Sequence, residues 1–367
     1  MAKTTIERLA EFGQSAWLDN INRSMIESGR LREMIGLGLR GMTSNPTIFD
    51  NAVRTSNDYD AKIDQLQRSG KTTFDIYDEL TVRDVQDAAD IFKEVYDKTN
   101  GLDGYVSLEV SPKLAFDAKA TIEDAVRLFK KVARPNVMFK IPATDAGFIA
   151  IEELLSEGIN INATLIFSLE QYRKTASSYI KGLDRLLQKG GDPKKPRSVA
   201  SVFVSRIDAL VDNAIDENGL PVSLKGKAAI ANSKLIFRKY LEIFSGSEFR
   251  NLEAKGANVQ RVLWASTSTK NPDYSDIKYV TELIGKNTVN TLPDNTLKAF
   301  LDHGVVEEAL SEDIRDAQSN IDSLRNFGID IDTVCAKLLE DGVAAFEKSF
   351  DSLLSSIETK AGSLSKT

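Results

Sequence analysis

The chain alternates between short apolar runs and longer stretches in which apolar residues recur every three or four positions. The short runs are rich in valine, isoleucine and leucine, which is typical of strands in a buried parallel sheet. The longer stretches are typical of amphipathic helices that cover such a sheet. Eight strands are predicted, at residues 16–21, 39–44, 105–110, 137–141, 161–166, 199–204, 261–266 and 288–291.

Two of the intervening helices carry N-terminal signals. Ser168 is followed three residues later by Gln171, and Thr121 is followed at the same spacing by Asp124. A hydroxyl followed at this spacing by an acid or amide is typical of a capping box, which satisfies free N–H groups of the first turn. We therefore expect one helix to start at Ser168 and another at Thr121.

Eight strands separated by helices predict a closed (β/α)8 barrel of the TIM type, with a doubly wound open sheet as the alternative. The barrel is favoured because no Gly-x-Gly-x-x-Gly turn follows an early strand, so nothing marks a dinucleotide crevice. We expect residues 1–367 to form one α/β domain with helical insertions at about 49–104 and 206–260. A long amphipathic helix is predicted at about 332–359, and residues 361–367 are expected to fray.

The amino-acid composition limits the kinds of functional site that the chain can contain. The 367 residues include one cysteine, Cys335, and one histidine, His303, and carry a formal net charge of −7. A single cysteine permits no internal disulfide, which is typical of a reducing, cytoplasmic location. A single histidine argues against a His-rich zinc site and against a histidine-based triad. The acidic balance argues against a broad nucleic-acid surface, and no apolar run is long enough to span a membrane.

Lys140 is the most informative residue. It lies in the apolar segment VMFKIP, at positions 137–142, which has the character of a buried strand. Burying an ammonium is costly, so such a lysine is either paired with an acid or held uncharged. An uncharged amine near the C-terminal mouth of a barrel is a nucleophile for carbonyls and forms Schiff bases. The alternative is a lysine at a strand end whose ammonium reaches out to water.

Polar residues also lie on, or just after, most of the other predicted strands. They are Asp19, Asn45, Glu109, Asn162, Thr164, Ser201, Arg206, Ser266 and Lys270. Taken singly, each has a simpler explanation as a helix cap, a turn residue or a surface charge. Together they bring two acids, several neutral polar groups and two cations to one barrel mouth. This combination indicates covalent carbonyl chemistry on a polyhydroxylated substrate that carries a phosphate.

Two long motifs resemble those of the transaldolase family. They are GMTSNPTIF at positions 41–49 and VMFKIPATDAG at positions 137–147. Glu109, the segment NATLIFS at 162–168 and the stretch from Ser201 to Arg206 follow in the family's order. The resemblance extends from about residue 7 to residue 346 and is closest to the longer bacterial branch of the family.

The resemblance implies a class I aldolase-type barrel that needs no metal and no cofactor. Such enzymes move a dihydroxyacetone unit between sugar phosphates in the pentose phosphate pathway. By position, Lys140 would form the Schiff base, Asp19 would act as the acid/base in carbon–carbon cleavage, and Glu109 and Thr164 would transfer protons through a water. The remaining positions would bind substrate, with Asn45, Asn162 and Ser201 at its hydroxyls and Arg206 at its phosphate.

One departure from the family concerns the seventh strand. Shorter family members place an arginine close behind its serine, whereas here Ser266 is followed by Thr267, Ser268, Thr269 and Lys270. We expect Ser266 to keep its role and Lys270 to supply the charge, although a lysine lacks the bidentate fork of arginine. Two other functions stay open: a related lysine aldolase, such as a fructose 6-phosphate aldolase, that releases free dihydroxyacetone, and a non-catalytic sugar-phosphate-binding barrel. A homo-oligomer is also left open.

Overall fold

A computed structural model describes residues 3–311 and 314–364. Within these residues, eight parallel strands close into a barrel in which consecutive strands pair and β1 pairs with β8. The strands are β1 (Gln14–Asp19), β2 (Gly41–Thr43), β3 (Tyr105–Glu109), β4 (Val137–Pro142), β5 (Ile161–Ile166), β6 (Ser198–Phe203), β7 (Arg261–Ala265) and β8 (Thr288–Leu292). The predicted (β/α)8 barrel is confirmed, and the alternative of an open doubly wound sheet is wrong.

Helices connect the strands and cover the outside of the barrel. They are α1 (Thr5–Phe12), α2 (Arg23–Glu27), α3 (Arg30–Gly36), α4 (Pro46–Thr55), α5 (Asp60–Arg68), α6 (Thr73–Lys98), α7 (Ala118–Val132), α8 (Asp145–Ser156), α9 (Leu169–Gln188), α10 (Ser205–Glu217), α11 (Ala228–Phe244), α12 (Ser247–Glu253), α13 (Lys278–Thr281), α14 (Asp294–His303), α15 (Ile314–Asn326) and α16 (Ile331–Leu364). Short 3-10 turns lie at Pro112–Leu114 and Val222–Leu224. No helix within the described ranges combines the length and apolarity needed to cross a membrane.

The two predicted helix starts have different outcomes. Ser168 caps α9 and forms a reciprocal capping box with Gln171, which confirms that prediction. The predicted start at Thr121 is wrong because α7 begins one turn earlier, where Asp117 accepts a hydrogen bond from the backbone N–H of Ala120. The Thr121 hydroxyl instead donates to the carbonyl oxygen of Leu114. A side chain that already caps the helix upstream thus overrides the later motif.

Strand register places polar residues of neighbouring strands side by side. Asp19 at the end of β1 pairs with Thr43 at the end of β2. Glu109 pairs with Lys140 across β3 and β4, and Lys140 pairs with Asn162 across β4 and β5. Because paired residues of adjacent parallel strands point to the same face of a sheet, Glu109, Lys140 and Asn162 form one row.

The N-terminal end of the barrel is closed by a buried ion pair. The guanidinium Nη2 of Arg261 lies 2.8 Å from Oδ1 of Asp103, and the Ser15 hydroxyl donates to Oδ2 of the same carboxylate at 2.8 Å. Arg261 also donates to Ser15 Oγ at 2.9 Å. Close above, the fully buried ring of Trp17 packs on Gly41, where a Cβ atom would lie 2.5 Å from the ring. Gly41 is therefore needed for the close approach of β1 and β2.

The C-terminal helix α16 packs against α4, α5 and α6. Its Ser349 accepts a hydrogen bond from Thr47, and its Lys360 pairs with Asp60. The helix runs beyond the predicted 332–359, so residues 361–364 are helical rather than frayed, and residues 365–367 lie outside the described residues. This docking brings Phe346 of α16 to the C-terminal mouth of the barrel.

Candidate active site

A cavity of about 210 Å³ opens at the C-terminal end of the barrel. Eight of the ten residues predicted from the sequence line it, namely Asp19, Asn45, Lys140, Thr164, Ser201, Arg206, Ser266 and Lys270. The other two do not line the cavity but contact residues that do. Glu109 lies beside Lys140, and Asn162 accepts a hydrogen bond from Ser201. The structure thus brings all ten residues together.

Lys140 lies on β4 and is only 4 % exposed. Its Nζ donates a hydrogen bond to the carbonyl oxygen of Ser44 at 3.1 Å and lies 3.6 Å from Oε2 of Glu109. The ring centroid of Phe346 is 5.9 Å from the same nitrogen. Because the amine is enclosed by protein on these sides, the alternative of a lysine that reaches out into bulk water is wrong.

Glu109 is the partner of Lys140 at the end of β3. Burial raises the pKa of Glu109 to about 7, while the nearby Lys140 opposes the shift. Neither carboxylate oxygen has a hydrogen-bond partner among the residues that the structure describes. A carboxyl group that gains and loses its proton near neutral pH is suited to general acid/base catalysis.

Asp19 ends β1, two strands away from Glu109 around the barrel. Desolvation raises the pKa of Asp19, although Lys140 and the Thr43 hydroxyl oppose the shift. Thr43 Oγ1 donates to Asp19 Oδ1 at 2.8 Å, and the hydroxyls of Thr43 and Thr291 lie 2.9 Å apart. A chain of hydroxyls from β8 and β2 therefore orients this carboxyl group toward the cavity, where it can exchange a proton with a bound molecule.

Strand β5 is irregular where it carries Thr164. Its register shifts between Ala163 and Ile166, and Leu165 adopts a left-handed backbone conformation with φ 57°. Bulges of this kind redirect side chains and are common beside active sites. The Thr164 hydroxyl is buried, lines the cavity and has no hydrogen-bond partner within the described chain. It is available to a substrate or to a bound water.

Asn162 and Ser201 form a hydrogen-bonded pair across β5 and β6. Ser201 Oγ donates to Asn162 Oδ1 at 2.6 Å, and Asn162 Nδ2 donates to Ser107 Oγ at 3.0 Å. Because the Ser201 hydroxyl donates its proton to Asn162, its oxygen can only accept a hydrogen bond from a molecule in the cavity. Asn45 is fixed differently, because its Oδ1 caps α4 by accepting from the N–H of Ile48 at 3.0 Å.

Two cations face each other at the rim of the cavity. Arg206 was predicted at the end of the sixth strand, but it is the second residue of α10, which begins directly after β6. Lys270 lies in the loop after β7 and donates to Ser268 Oγ at 2.9 Å. Burial lowers the pKa of both groups, and the charge of Arg206 lowers that of Lys270 further. An anion bound between them would relieve this repulsion. Ser266, with φ 55°, turns the chain into this loop.

Several other residues that line the cavity were not predicted from the sequence. They are Thr43, Thr47, Ile48, Phe203, Ala265, Ser268, Thr291, Pro293 and Phe346. Thr43 and Thr291 follow the same strand-end pattern that identified Asp19 and could have been found by it. Phe346 gave no such signal, because an apolar position on an amphipathic helix does not reveal which surface the helix covers.

The fold and the site together define a class of protein. A parallel barrel whose C-terminal mouth holds a buried lysine, two carboxyl groups with raised pKa values and two cations has the groups that carbonyl chemistry through a lysine requires. Across residues 3–311 and 314–364, no group of three or more histidine, cysteine, aspartate or glutamate side chains is arranged to hold a metal ion.

Comparison with known proteins gives the family. The sequence pattern described as Transaldolase/Fructose-6-phosphate aldolase matches residues 16–357, so the chain belongs to this family of enzymes. It is 45 % identical over 377 residues to the transaldolase of Trichodesmium erythraeum, with 99 % of each chain covered. It is 43 % identical over 379 residues to transaldolase 2 of Nostoc punctiforme, with both chains covered completely. It is 45 % identical over 356 residues to the transaldolase of Saccharopolyspora erythraea, covering 96 % and 97 % of the two chains. The resemblance to transaldolases is confirmed.

Proposed function

We propose that this protein is a transaldolase that moves a dihydroxyacetone unit from a ketose phosphate to an aldose phosphate through a Schiff base on Lys140. The donor is sedoheptulose 7-phosphate or fructose 6-phosphate, and the acceptor is glyceraldehyde 3-phosphate or erythrose 4-phosphate, as in the pentose phosphate pathway. The observation that carries the proposal is the buried amine of Lys140, 3.6 Å from a carboxyl group whose pKa is about 7.

Formation of the Schiff base begins with a proton transfer. The amine of Lys140 attacks the C2 carbonyl of the ketose only when it is uncharged, and Glu109 is close enough to take its proton. Attack gives a carbinolamine, which loses its hydroxyl as water when a proton is returned to it. Thr164, with its unpartnered hydroxyl, would hold the water that carries these protons between Glu109 and the reacting carbon.

Carbon–carbon cleavage then requires a base at the C4 hydroxyl. Asp19 takes this proton, the C3–C4 bond breaks, and its electron pair moves into the iminium to give an enamine. The aldehyde product leaves while the three-carbon unit stays on Lys140. Asp19 returns the proton to the new alkoxide after the enamine attacks an acceptor aldehyde, and hydrolysis of the new iminium frees the product and the lysine. The raised pKa of Asp19 is consistent with both directions of transfer.

Retention of the enamine depends on keeping proton donors away from its carbon. The rings of Phe203 and Phe346 line the cavity and offer no exchangeable proton. An apolar wall of this kind excludes water from the intermediate until an acceptor arrives. Arg206 and Lys270 would hold the phosphate of donor and acceptor at the rim, with Lys270 acting as a point charge rather than as a fork.

The test is to trap the Schiff base. Sodium borohydride added together with fructose 6-phosphate should reduce the imine and leave a covalent three-carbon or hexose phosphate adduct on Lys140, located by peptide mass spectrometry. The matched control is Lys140→Met, which should give no adduct at any position. Recovery of unmodified Lys140 from active wild-type protein would overturn the proposal.

A turnover assay with and without an acceptor aldehyde, together with a binding measurement, separates the other two functions. Release of free dihydroxyacetone without an acceptor aldehyde would identify a lysine aldolase, and sugar-phosphate binding without turnover would identify a non-catalytic barrel. Sugar phosphates are the proposed partners, and a cytoplasmic location is part of the proposal because the single cysteine permits no internal disulfide.

A further inference from the structure

Two buried aspartates lie on α10, the helix whose second residue is Arg206. Asp208 and Asp212 are four residues apart and therefore share one face of the helix. Asp208 Oδ2 accepts a hydrogen bond from the hydroxyl of Tyr279 at 2.8 Å, and Asp212 Oδ2 accepts one from Tyr274 at 2.6 Å. Both tyrosines belong to the segment after β7, which also carries Lys270.

The second oxygen of each carboxylate is also engaged. Asp208 Oδ1 accepts from the backbone N–H of Ala229 at 2.7 Å, and Asp212 Oδ1 accepts from that of Gly226 at 2.9 Å. Burial raises the pKa of Asp208 to about 6. Because each of the four oxygens accepts a hydrogen bond, this pair joins α10 to the start of α11 and to the segment after β7.

The hydrogen bonds of Tyr274 and Tyr279 cross a space between α10 and the loop after β7 that side chains do not fill. A cavity of about 270 Å³ lies between α10 and the loop, lined by Asp212, Lys270, Asn271 and Tyr274 among others. The loop is therefore not held at its distance from α10 by close apolar contact there. Like charges on Arg206 and Lys270 also repel, which favours movement of the loop into water unless something opposes it.

We propose that Tyr274 and Tyr279 are positioning residues that act through Lys270. Their hydrogen bonds to α10 hold the loop after β7 at a fixed distance from Arg206, so that the two cations are spaced for one phosphate group. This proposal rests on the proposed function, since it assumes that the two cations receive the phosphate of the substrate. Neither tyrosine lines the active-site cavity, so each acts on binding and not on the covalent steps.

The test compares phosphorylated and unphosphorylated acceptors. In Tyr274→Phe, Tyr279→Phe and the double variant, the KM for glyceraldehyde 3-phosphate should rise about two- to tenfold for each lost hydrogen bond. The KM for glyceraldehyde and the kcat with either acceptor should stay within twofold. The control is Tyr105→Phe, which deletes a buried hydroxyl that donates to Gly101 at the other end of the barrel and should leave the ratio of the two KM values unchanged.

A second arm tests whether the tyrosines act through Lys270. In a Lys270→Ala background, adding Tyr274→Phe should raise the KM for glyceraldehyde 3-phosphate no further. Additive effects, or equal rises for both acceptors, would overturn the proposal.

Calorimetric binding of glucitol 6-phosphate, which has no carbonyl, measures the phosphate contact without turnover. The same two- to tenfold weakening is expected there, and unchanged affinity in the double variant would overturn the proposal. A protein that shows this weakening but forms no borohydride adduct would sink the proposed transfer reaction and leave the positioning role standing.

Discussion

Each end of the barrel contains a buried pair of one cation and one carboxylate, and the two carboxylates differ in their hydrogen bonding. At the N-terminal end, Arg261 lies 2.8 Å from Asp103, and both oxygens of that carboxylate are hydrogen-bonded. At the C-terminal end, Lys140 lies 3.6 Å from Glu109, and neither oxygen of Glu109 has a hydrogen-bond partner in the part of the chain described. One pair is fully bonded, and the other is left able to exchange a proton.

This difference follows from what each end must do. Arginine keeps its charge in a protein, and its guanidinium donates several bonds in a fixed plane, so the pair at the N-terminal end fixes strands without chemistry. Lysine can lose its proton and become a nucleophile, and an unpartnered carboxyl group with a pKa of about 7 can receive that proton. On the proposed function, the same barrel uses buried charge for stability at one end and for reactivity at the other.

The largest expected effect comes from Lys140→Met. Loss of the amine should abolish transfer, by about 10⁴-fold or more, because the covalent route disappears. Stability should change by no more than about 1 kcal/mol, since Glu109 can stay protonated and avoid an unpaired buried charge. Steady-state assay and urea unfolding measure the two quantities, and a loss of several kcal/mol would show that this pair is structural like the one at the other end.

Asp19→Asn should slow the reaction by about 10² to 10⁴-fold. The amide keeps the size of the side chain but cannot accept the C4 proton, so cleavage is impaired while the imine still forms. Borohydride with fructose 6-phosphate should therefore still label Lys140, at a level near that of wild type. A variant whose only defect is a raised KM would contradict an acid/base role, because that would be lost binding alone.

Arg261→Met should lower stability and leave activity nearly unchanged, which is the opposite of the effect expected for Lys140→Met. Removing the guanidinium leaves Asp103 buried with Ser15 as its remaining close donor, at a cost of about 3–5 kcal/mol in the free energy of unfolding. The kcat per folded molecule should stay within twofold, because the pair lies at the far end of the strands. Urea unfolding and active-site titration by borohydride check both parts. An Arg261→Met protein that is stable but inactive would contradict the distinction between the two ends. It would show that the N-terminal pair serves activity and not stability.

The sequence predicted the mouth of the barrel better than its other end. Strand ends in a parallel barrel converge, so polar residues at those positions, such as Asp19 and Lys140, could be placed together from the order of the predicted strands. Arg261 also stands in a predicted strand, but it gave no signal, because its partner Asp103 lies in a loop 158 residues away. A buried pair of that separation depends on barrel closure, which local pattern does not contain.

Contacts between helices that are far apart in the sequence could not be predicted either. The amphipathic pattern predicted a C-terminal helix but not its docking on α4 or the insertion of Phe346 into the cavity. Tyr274 lies in the loop after β7 and Tyr279 on α13, and neither residue gave a sign in the sequence of its hydrogen bond to α10. The bulge at Leu165 was missed because a left-handed leucine is held by its surroundings rather than favoured by its own type.

The smallest expected effect concerns the pH dependence of stability at the reactive end. The pKa of Glu109 rises from its ordinary 4.5 to about 7 in the folded protein. Between these values the folded state keeps a proton that the unfolded state has released. The unfolded state therefore binds fewer protons, and the free energy of unfolding falls as pH rises through this window, by at most about 1.4 kcal/mol per pH unit.

Glu109→Gln removes this titration and should flatten the dependence. The raised pKa of Asp208 acts with the same sign, but Asp208 is present in both proteins, so it cancels in the difference. Urea unfolding at pH 5, 6, 7 and 8 should give a stability of wild type relative to the variant that decreases with rising pH, whereas Glu123→Gln, at an exposed carboxylate, should run parallel to wild type. Parallel curves for Glu109→Gln as well would mean that this carboxyl group holds its proton no more tightly than in the unfolded chain. In that case the reactive end would contain a fixed ion pair like the one between Arg261 and Asp103, and the source of the proton transfer to and from Lys140 would have to be sought elsewhere.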